Sequence, residues 1–177
     1  MSRIRIIGGK LKGRKMAVLV ADGLRPTSDR IRETLFNWLG QDLTGKVCLD
    51  LFAGSGVLGI ESLSRGAKKV TFVENQPAVA AQLRKNLVAF NLANGEVCQS
   101  DAEAFLASTQ ERYDIIFCDP PFHQEQIDKY LYLIQQHLHE ESVLYLETEK
   151  KLAIANEWQI IRQKETQQVS CRLLYLE

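Results

Sequence analysis

Five short, mostly apolar runs recur through the middle of the chain and predict the strands of one sheet. They cover residues 47–51, 70–73, 96–99, 114–118 and 143–146. Segments with apolar residues at helical spacing separate them, near residues 56–65, 77–90, 102–107 and 127–138. Apolar strands that alternate with amphipathic helices are typical of a parallel sheet covered on both faces. The pattern therefore predicts an α/β fold.

Both ends of the chain carry a hairpin pattern. Residues 3–20 alternate in polarity around a pair of glycines and a basic stretch, which predicts a small β-hairpin. An amphipathic helix follows and ends at Gly40, since one apolar stripe contains Ile31, Leu35, Trp38 and Leu39. Near the C-terminus, residues 158–162 and 169–176 flank a polar turn and predict an antiparallel hairpin.

The expected architecture is a mostly parallel seven-stranded sheet that ends in the C-terminal antiparallel hairpin. The small N-terminal hairpin and its helix precede the sheet. The chain has 177 residues and shows no internal repeat, low-complexity tract or interdomain linker. We therefore expect a single domain over residues 1–177, with residues 1–40 as a basic N-terminal extension.

The composition is that of a soluble globular protein, with 45% hydrophobic and 25% charged residues. The sequence contains no apolar run of the roughly 18 residues that a membrane-spanning helix needs. Its first residues do not have the apolar stretch and small-residue cleavage site of a secretory signal. We expect a cytoplasmic protein that does not associate with a membrane.

The cysteines and histidines do not form a metal-binding pattern. The four cysteines lie far apart and form no C-x-x-C pair, and Cys48, Cys118 and Cys171 lie within apolar runs. The three histidines share no ligand spacing with them. We therefore expect no metal site and interpret the cysteines as buried, reduced thiols.

Charge is distributed unevenly along a chain whose formal net charge is zero. Residues 1–32 carry a net charge of +7, and the remaining 145 residues carry −7. The basic residues of this segment are Arg3, Arg5, Lys10, Lys12, Arg14, Lys15, Arg25, Arg30 and Arg32. Such segregation favours a polyanionic partner for the N-terminal segment, although a solubilising role is the alternative. The candidate contacts to the phosphates of such a partner are Lys10, Lys12, Arg14 and Lys15.

A glycine-rich turn follows the first predicted strand of the large sheet. Ligands of parallel sheets bind at the carboxyl ends of the strands, so this turn is a candidate site. It contains Asp50, Leu51, Phe52, Ala53, Gly54, Ser55 and Gly56. The string Gly54-x-Gly56-x-x-Gly59 matches the dinucleotide fingerprint, so NAD and S-adenosylmethionine both remain open as ligands.

Acidic residues follow the next two predicted strands. Glu74 ends the second, and a carboxylate there can accept hydrogen bonds from both ribose hydroxyls of an adenosine ligand. Asp101 and Ala102 follow the third, where the carboxylate and the backbone amide can reach the adenine. Asp101 is also a good N-cap for the helix that it precedes, and both roles are compatible.

The fourth predicted strand runs into Asp119-Pro120-Pro121-Phe122, which distinguishes the two candidate ligands. Two prolines cannot extend a strand or a helix, so they form a rigid, extended segment beside the nucleotide site. Asp119 and a proline carbonyl can accept hydrogen bonds from an exocyclic amine, while Phe122 stacks on its planar base. A nicotinamide site does not need this arrangement. The motif therefore favours methylation of a base amino group.

These motifs, in this order, resemble the amino-group branch of the Rossmann-like S-adenosylmethionine-dependent methyltransferases. The segments 6–13 and 25–39 narrow the resemblance to the bacterial 16S rRNA guanine-N2 methyltransferases, the RsmD family. It covers nearly the whole chain and is strongest in residues 3–39, 50–59 and 119–122. After about residue 150 it is limited to a hairpin.

The resemblance implies a role for each matching segment. The turn from Asp50 to Gly56 would line the methionine part of the cofactor, Glu74 the ribose, and Asp101 with Ala102 the adenine. Arg25 and Thr27 lie in a segment that resembles an N-terminal cofactor-contact motif and would close over the methionyl carboxylate.

The resemblance also implies a function. It is S-adenosylmethionine-dependent methylation of the exocyclic N2 amino group of one guanine in 16S ribosomal RNA. The partner would be 16S rRNA within a small ribosomal subunit or an assembly intermediate, and we expect the enzyme to be a monomer.

Three alternatives remain open at this point. A DNA adenine-N6 methyltransferase uses a closely similar four-residue motif, but this chain has no insert large enough for a DNA-reading domain. A protein glutamine methyltransferase normally has Asn at the position of Asp119. A noncatalytic RNA-binding module of the same fold is the third alternative, and the intact ligand motifs argue against it.

Overall fold

The computed structural model describes residues 1–19, 27–121, 126–149 and 152–177. Nine strands are found there: β1 (Ser2–Arg5), β2 (Lys15–Val18), β3 (Val47–Asp50), β4 (Lys69–Glu74), β5 (Gly95–Gln99), β6 (Ile115–Cys118), β7 (Val143–Glu149), β8 (Trp158–Glu165) and β9 (Val169–Leu176). The helices are α1 (Asp29–Leu39), α2 (Val57–Ser64), α3 (Pro77–Ala89), α4 (Ala102–Ser108) and α5 (Ile127–Ile134).

The last seven strands form one sheet in the order β5-β4-β3-β6-β7-β9-β8. Strands β3 to β7 pair in parallel, while β9 is antiparallel to both β7 and β8. The strand order reverses between β3 and β6, which start the two halves of the parallel sheet. This confirms the predicted mostly parallel seven-stranded sheet with its antiparallel C-terminal hairpin.

Helices cover both faces of the sheet, as the continuous apolar strands predict. Apolar side chains of α1, α2 and α3 pack on one face, with Phe36, Ile60 and Leu83 fully buried or nearly so. Those of α4 and α5 pack on the other face, around Leu106 and Leu131. Two apolar cores therefore hold the sheet rigid between them and fix the positions of its strand ends.

The N-terminal hairpin of β1 and β2 forms a separate two-stranded sheet that packs against α2 and α3. The Leu11 amide donates to Ser64 Oγ (2.9 Å), and Asn86 Nδ2 donates to the carbonyl of Ala17 (2.8 Å). Gly9 has a φ of 70°, and a Cβ there would lie 2.0 Å from the Ser64 carbonyl oxygen. Only glycine therefore permits this close approach of the hairpin to α2.

A buried charge network joins α1 to α2. Arg32, whose side chain is fully buried, donates to Glu61 Oε1 at 2.5 Å and also pairs with Asp29. Glu61 also pairs with Arg65, and its Oε1 accepts from the amide of Ile7 at 2.8 Å. Arg32 is thus neutralised inside the protein. Arg32 is one of the nine basic residues in the N-terminal segment, but because it is buried it does not belong to an exposed basic surface.

Two further expectations need adjustment. The helix predicted to reach residue 138 ends at Ile134 and continues as a 3₁₀ turn over Gln135–His137. The His137 ring explains the turn, because its two nitrogens lie 3.1 and 2.9 Å from the carbonyls of Glu111 and Leu106.

Three of the four free cysteines are buried as expected, while Cys98 is half-buried. Within the described residues, no helix is long and apolar enough to cross a membrane.

Candidate active site

A large cavity of about 1570 Å³ opens at the carboxyl ends of the parallel strands. The predicted site residues that line it are Thr27, Asp50, Phe52, Ala53, Gly54, Ser55, Glu74, Asp101, Ala102, Asp119, Pro120 and Pro121. Residues far apart in sequence therefore meet at one edge of the sheet, as the strand order requires. Two predicted residues, Arg25 and Phe122, lie outside the described part of the chain.

The glycine-rich turn wraps tightly from β3 into α2. Gly54 and Gly56 have φ angles of 51° and 75°, and Gly56 is the N-cap of α2. A Cβ at Gly59 would lie 2.2 Å from Cε1 of Phe72. The first two glycines thus shape the turn beside the cavity, and Gly59 permits α2 to pack closely on β4. Gly56 itself is not among the residues that line the cavity.

Asp50, at the end of β3, is buried beneath this turn. Its Oδ2 accepts a hydrogen bond from the amide of Gly59 at 3.1 Å. Burial and the nearby Glu74 carboxylate raise the pKa of Asp50 to about 7, while the Gly59 hydrogen bond opposes the rise. A cationic ligand group, or one that donates a hydrogen bond to Asp50, would relieve this unfavourable burial of charge.

Glu74 is buried at the end of β4 and organises the loop as well as lining the cavity. Its Oε2 accepts from the Gly54 amide at 2.9 Å, and its Oε1 accepts from the Gln76 amide at 2.7 Å. A carboxylate has further lone pairs, so ligand hydroxyls can still bind to it. Because both backbone contacts fix its rotamer, Glu74 presents these lone pairs in a preorganised position.

Asp101 is the N-cap of α4, one of the two roles that the sequence predicts for it. Its Oδ1 accepts from the amide of Ala104 at 2.9 Å at the N-terminus of α4. The side chain is exposed, and both it and the buried Ala102 line the cavity. The second oxygen of Asp101 therefore remains available to a ligand at this side of the cavity.

Asp119 and the two prolines follow directly from β6. Asp119 is partly buried, Pro120 is buried and Pro121 is exposed, so the segment rises from the core to the surface. Burial, followed by the negative charges of Glu147 and Asp50, raises the pKa of Asp119 well above its usual range. Several carboxyl groups are therefore held close together at one side of the cavity.

Glu147 is a cavity residue that the sequence patterns did not single out. It lies on β7, which the sequence ended at residue 146, and it is only 8% exposed. Burial raises its pKa, and a hydrogen bond from the Tyr145 hydroxyl (2.8 Å) opposes the rise. Its position directly after a predicted strand, like that of Asp119, was the signal that could have identified it.

The turn of the C-terminal hairpin also reaches the cavity. Lys164, Glu165 and Thr166 line it, together with Gln167, Gln168 and Val169. Lys164 Nζ donates to Thr34 Oγ1 at 2.7 Å, which ties the hairpin to α1. The sequence predicts the hairpin itself, but its contribution to the site depends on the insertion of β9 between β7 and β8.

The N-terminal segment also contributes to the cavity. Thr27 lines it, and the carbonyl of Thr27 accepts a hydrogen bond from Nε of the buried Arg32 at 3.2 Å. The charge network of α1 and α2 thus anchors Thr27. Ser28 then caps α1, with its Oγ accepting from Ile31.

The four candidate RNA-contact residues lie elsewhere, on the hairpin of β1 and β2. Lys10, Lys12, Arg14 and Lys15 are all exposed, and none lines the cavity. Arg14 additionally packs over the ring of Phe90 (4.6 Å to the centroid) and donates to the carbonyl of Ala89 (3.5 Å). Arg14 therefore has a packing role, whereas the three lysines project into solvent.

Comparison with known proteins places the chain in a family. A family model described as "conserved hypothetical protein 95" matches residues 4–175. The chain is 42% identical to "Ribosomal RNA small subunit methyltransferase D" of Escherichia coli K12, over 99% of the chain and 91% of that protein. The Haemophilus influenzae protein of the same name is 44% identical, over 96% and 92%. The chain belongs to the ribosomal RNA small subunit methyltransferase D family.

Solved structures support the fold of this family member. A structure from Escherichia coli, described as a candidate methyltransferase, has a TM-score of 0.90 and 43% identity and covers 99% of each chain. A more distant candidate methyltransferase, solved with S-adenosylhomocysteine, has a TM-score of 0.75 and 17% identity over 92% of this chain and 53% of its own. The Rossmann-like methyltransferase fold that the resemblance implies is confirmed.

Proposed function

We propose that the chain is an S-adenosylmethionine-dependent enzyme that methylates the N2 amino group of one guanine in 16S ribosomal RNA. The observation that carries the proposal is the meeting of two motifs in one cavity. The glycine-rich turn, Glu74 and the segment Asp119-Pro120-Pro121 all line it. The family's name, which specifies small-subunit ribosomal RNA as the substrate, agrees with this chemistry.

The geometry of the strand ends supports the proposed cofactor position. The ribose hydroxyls would bind Glu74, whose rotamer is fixed by two backbone amides. Asp101 and Ala102 would contact the adenine, and the turn after Asp50 would contact the methionine part. Thr27, with Arg25 before it, would close over the methionyl carboxylate. The fold neighbour solved with S-adenosylhomocysteine supports this choice of ligand over NAD.

Positioning of the target amine is the main catalytic task. When bound, the cofactor supplies a methyl group that its sulfonium already activates. The lone pair of guanine N2 is delocalised into the ring, so it must be aimed at that methyl group. Asp119 and a proline carbonyl would accept hydrogen bonds from the two N2–H groups and orient the lone pair, with Phe122 stacking on the base. Orienting two bound reactants lowers a barrier by about 7–11 kcal/mol at the upper end.

Asp119 has a second proposed role, which is to accept a proton from the methylated amine. As the N2–methyl bond forms and the sulfur–methyl bond breaks, the amine must lose one proton. The raised pKa of Asp119 makes this carboxylate a suitable acceptor, from which the proton can pass to water. The nearby carboxylates also stabilise the positive charge that develops on N2 in the transition state.

The exposed basic residues of the N-terminal hairpin form the proposed RNA-binding surface. Lys10, Lys12 and Lys15 would contact phosphates, with Arg14 placed beside them. The substrate would be 16S rRNA in a small subunit or an assembly intermediate, bound by a monomer of the enzyme. Such a substrate would place the protein in the cytoplasm.

Methyl transfer from labelled cofactor to small ribosomal subunits, genomic DNA and total protein, offered separately, tests the proposal. Label should enter the RNA of the small subunit alone. Transfer to DNA or to protein would instead favour an adenine-N6 or a glutamine methyltransferase. Titration calorimetry supplies the cofactor control: S-adenosylmethionine and S-adenosylhomocysteine should bind and NAD should not.

A further inference from the structure

Two carboxylates lie at the same level on adjacent parallel strands of the cavity. Strands β6 and β7 pair in register up to Cys118 opposite Leu146. Asp119 and Glu147 each follow by one residue, so their side chains leave the sheet side by side. Neighbouring strands are about 4.8 Å apart. The influence of the Glu147 charge on the pKa of Asp119 is a further sign that the two groups are close.

Glu147 is held in a defined orientation by its neighbour on β7. The hydroxyl of the fully buried Tyr145, on the same face of β7, donates to Glu147 Oε2 at 2.8 Å. Its other carboxylate oxygen makes no hydrogen bond to another described residue. Glu147 lines the cavity, and a carboxylate oxygen has lone pairs for further donors, so this oxygen is available to a ligand donor there.

Guanine presents donors that suit such a pair of acceptors. Its N1–H and N2–H groups lie side by side on one edge of the base, and N2 would bind Asp119. Adenine carries an unprotonated acceptor at N1, which a carboxylate repels. A site built to accept a particular N–H group therefore rejects bases without it.

We propose that Glu147 accepts the guanine N1–H and is the residue that selects guanine as the methylated base. This inference rests on the proposed function, because it assigns a second contact to the same substrate. Tyr145 is then a positioning residue, which holds one carboxylate oxygen so that the other faces the base.

The test compares guanine with 2-aminopurine, which retains the 2-amino group but has no proton on N1. Small subunits are reconstituted with either base at the methylated position, located beforehand by mass spectrometry of ribonuclease fragments. We expect Glu147→Gln to lower the guanine/2-aminopurine ratio of kcat/KM by roughly 10- to 150-fold, the effect of one hydrogen bond to a charged group. The intrinsic reactivity of each amine cancels when the ratio is compared between variants.

Glu141→Gln is the matched control, because it removes one negative charge from the exposed turn before β7. Its ratio should equal that of the wild type, and an unchanged ratio in Glu147→Gln would overturn the assignment. If Glu147→Gln is inactive on both bases, the same ratio of kcat/KM is measured for Tyr145→Phe. A lowered guanine/2-aminopurine ratio in Tyr145→Phe supports the assignment, and a wild-type ratio overturns it. Failure of the wild type to methylate guanine at all would instead refute the proposed function.

Discussion

Replacing the buried Asp50 with Asn should stabilise the unliganded protein at alkaline pH. Burial and Glu74 raise the pKa of Asp50 from an ordinary 3.8 to about 7. At about 1.4 kcal/mol for each pH unit, the ionised carboxylate destabilises the folded chain by about 4 kcal/mol. Asn keeps an acceptor for the Gly59 amide but buries an NH2 group without a partner, at a cost of about 1–3 kcal/mol. The expected net gain at pH 8 is therefore about 1–3 kcal/mol.

The pH dependence of the effect has a definite sign. Because the folded-state pKa of Asp50 lies above its unfolded value, the folded chain binds more protons between pH 3.8 and about 7. The contribution of Asp50 to stability is therefore complete below the pKa that it has in the unfolded chain, and it is lost as the pH rises towards 7. The Asn variant should gain stability over the wild type at pH 8 and lose that advantage at pH 5.

Urea denaturation of both proteins at pH 5 and pH 8, without ligand, measures these differences as free energies of unfolding. Asp128→Asn, on the exposed face of α5, is the control and should not change the difference between the two pH values. A variant that is destabilised equally at pH 5 and pH 8 would refute the reasoning, because Asp50 would then be ionised without penalty.

Three further predictions concern catalysis, RNA binding and the buried charge network. Asp119→Ala should lower kcat by roughly 100- to 1000-fold, and a matching loss of cofactor affinity in calorimetry would contradict its contact with the amine. Replacing Lys10, Lys12 and Lys15 together with Ala should make the slope of log RNA affinity against log salt concentration shallower by about two. An unchanged slope would make them solubilising residues. Glu61→Gln should lower the free energy of unfolding by about 3–5 kcal/mol in urea, since two buried guanidinium groups lose the carboxylate that they share; a loss below about 1 kcal/mol would contradict this.

The sequence predicts those parts of the site that lie directly after strands with a strong apolar pattern. Asp50, Glu74 and Asp119 each end or follow such a strand, and the parallel sheet brings their side chains to one edge. The local pattern is sufficient to predict these residues, because the carboxyl ends of parallel strands all lie at the same edge of the sheet.

Other parts of the site depend on contacts between distant segments, which local patterns do not contain. Arg32 appears as one more basic residue of the N-terminal segment, and only the packing of α1 on α2 pairs it with Glu61. The hairpin turn at Lys164 reaches the cavity because β9 inserts between β7 and β8. Glu147 could have been identified, but its strand continues to Glu149, beyond the predicted end.

The identity of the methylated nucleoside tests the central claim most directly. Small ribosomal subunits from cells without this protein are incubated with the enzyme and S-adenosylmethionine that carries an isotopically labelled methyl group. Their RNA is then digested to nucleosides and analysed by mass spectrometry. The account predicts labelled N2-methylguanosine, at one residue per subunit. Label in any other nucleoside, or none in RNA while the enzyme remains folded and binds the cofactor, would contradict it.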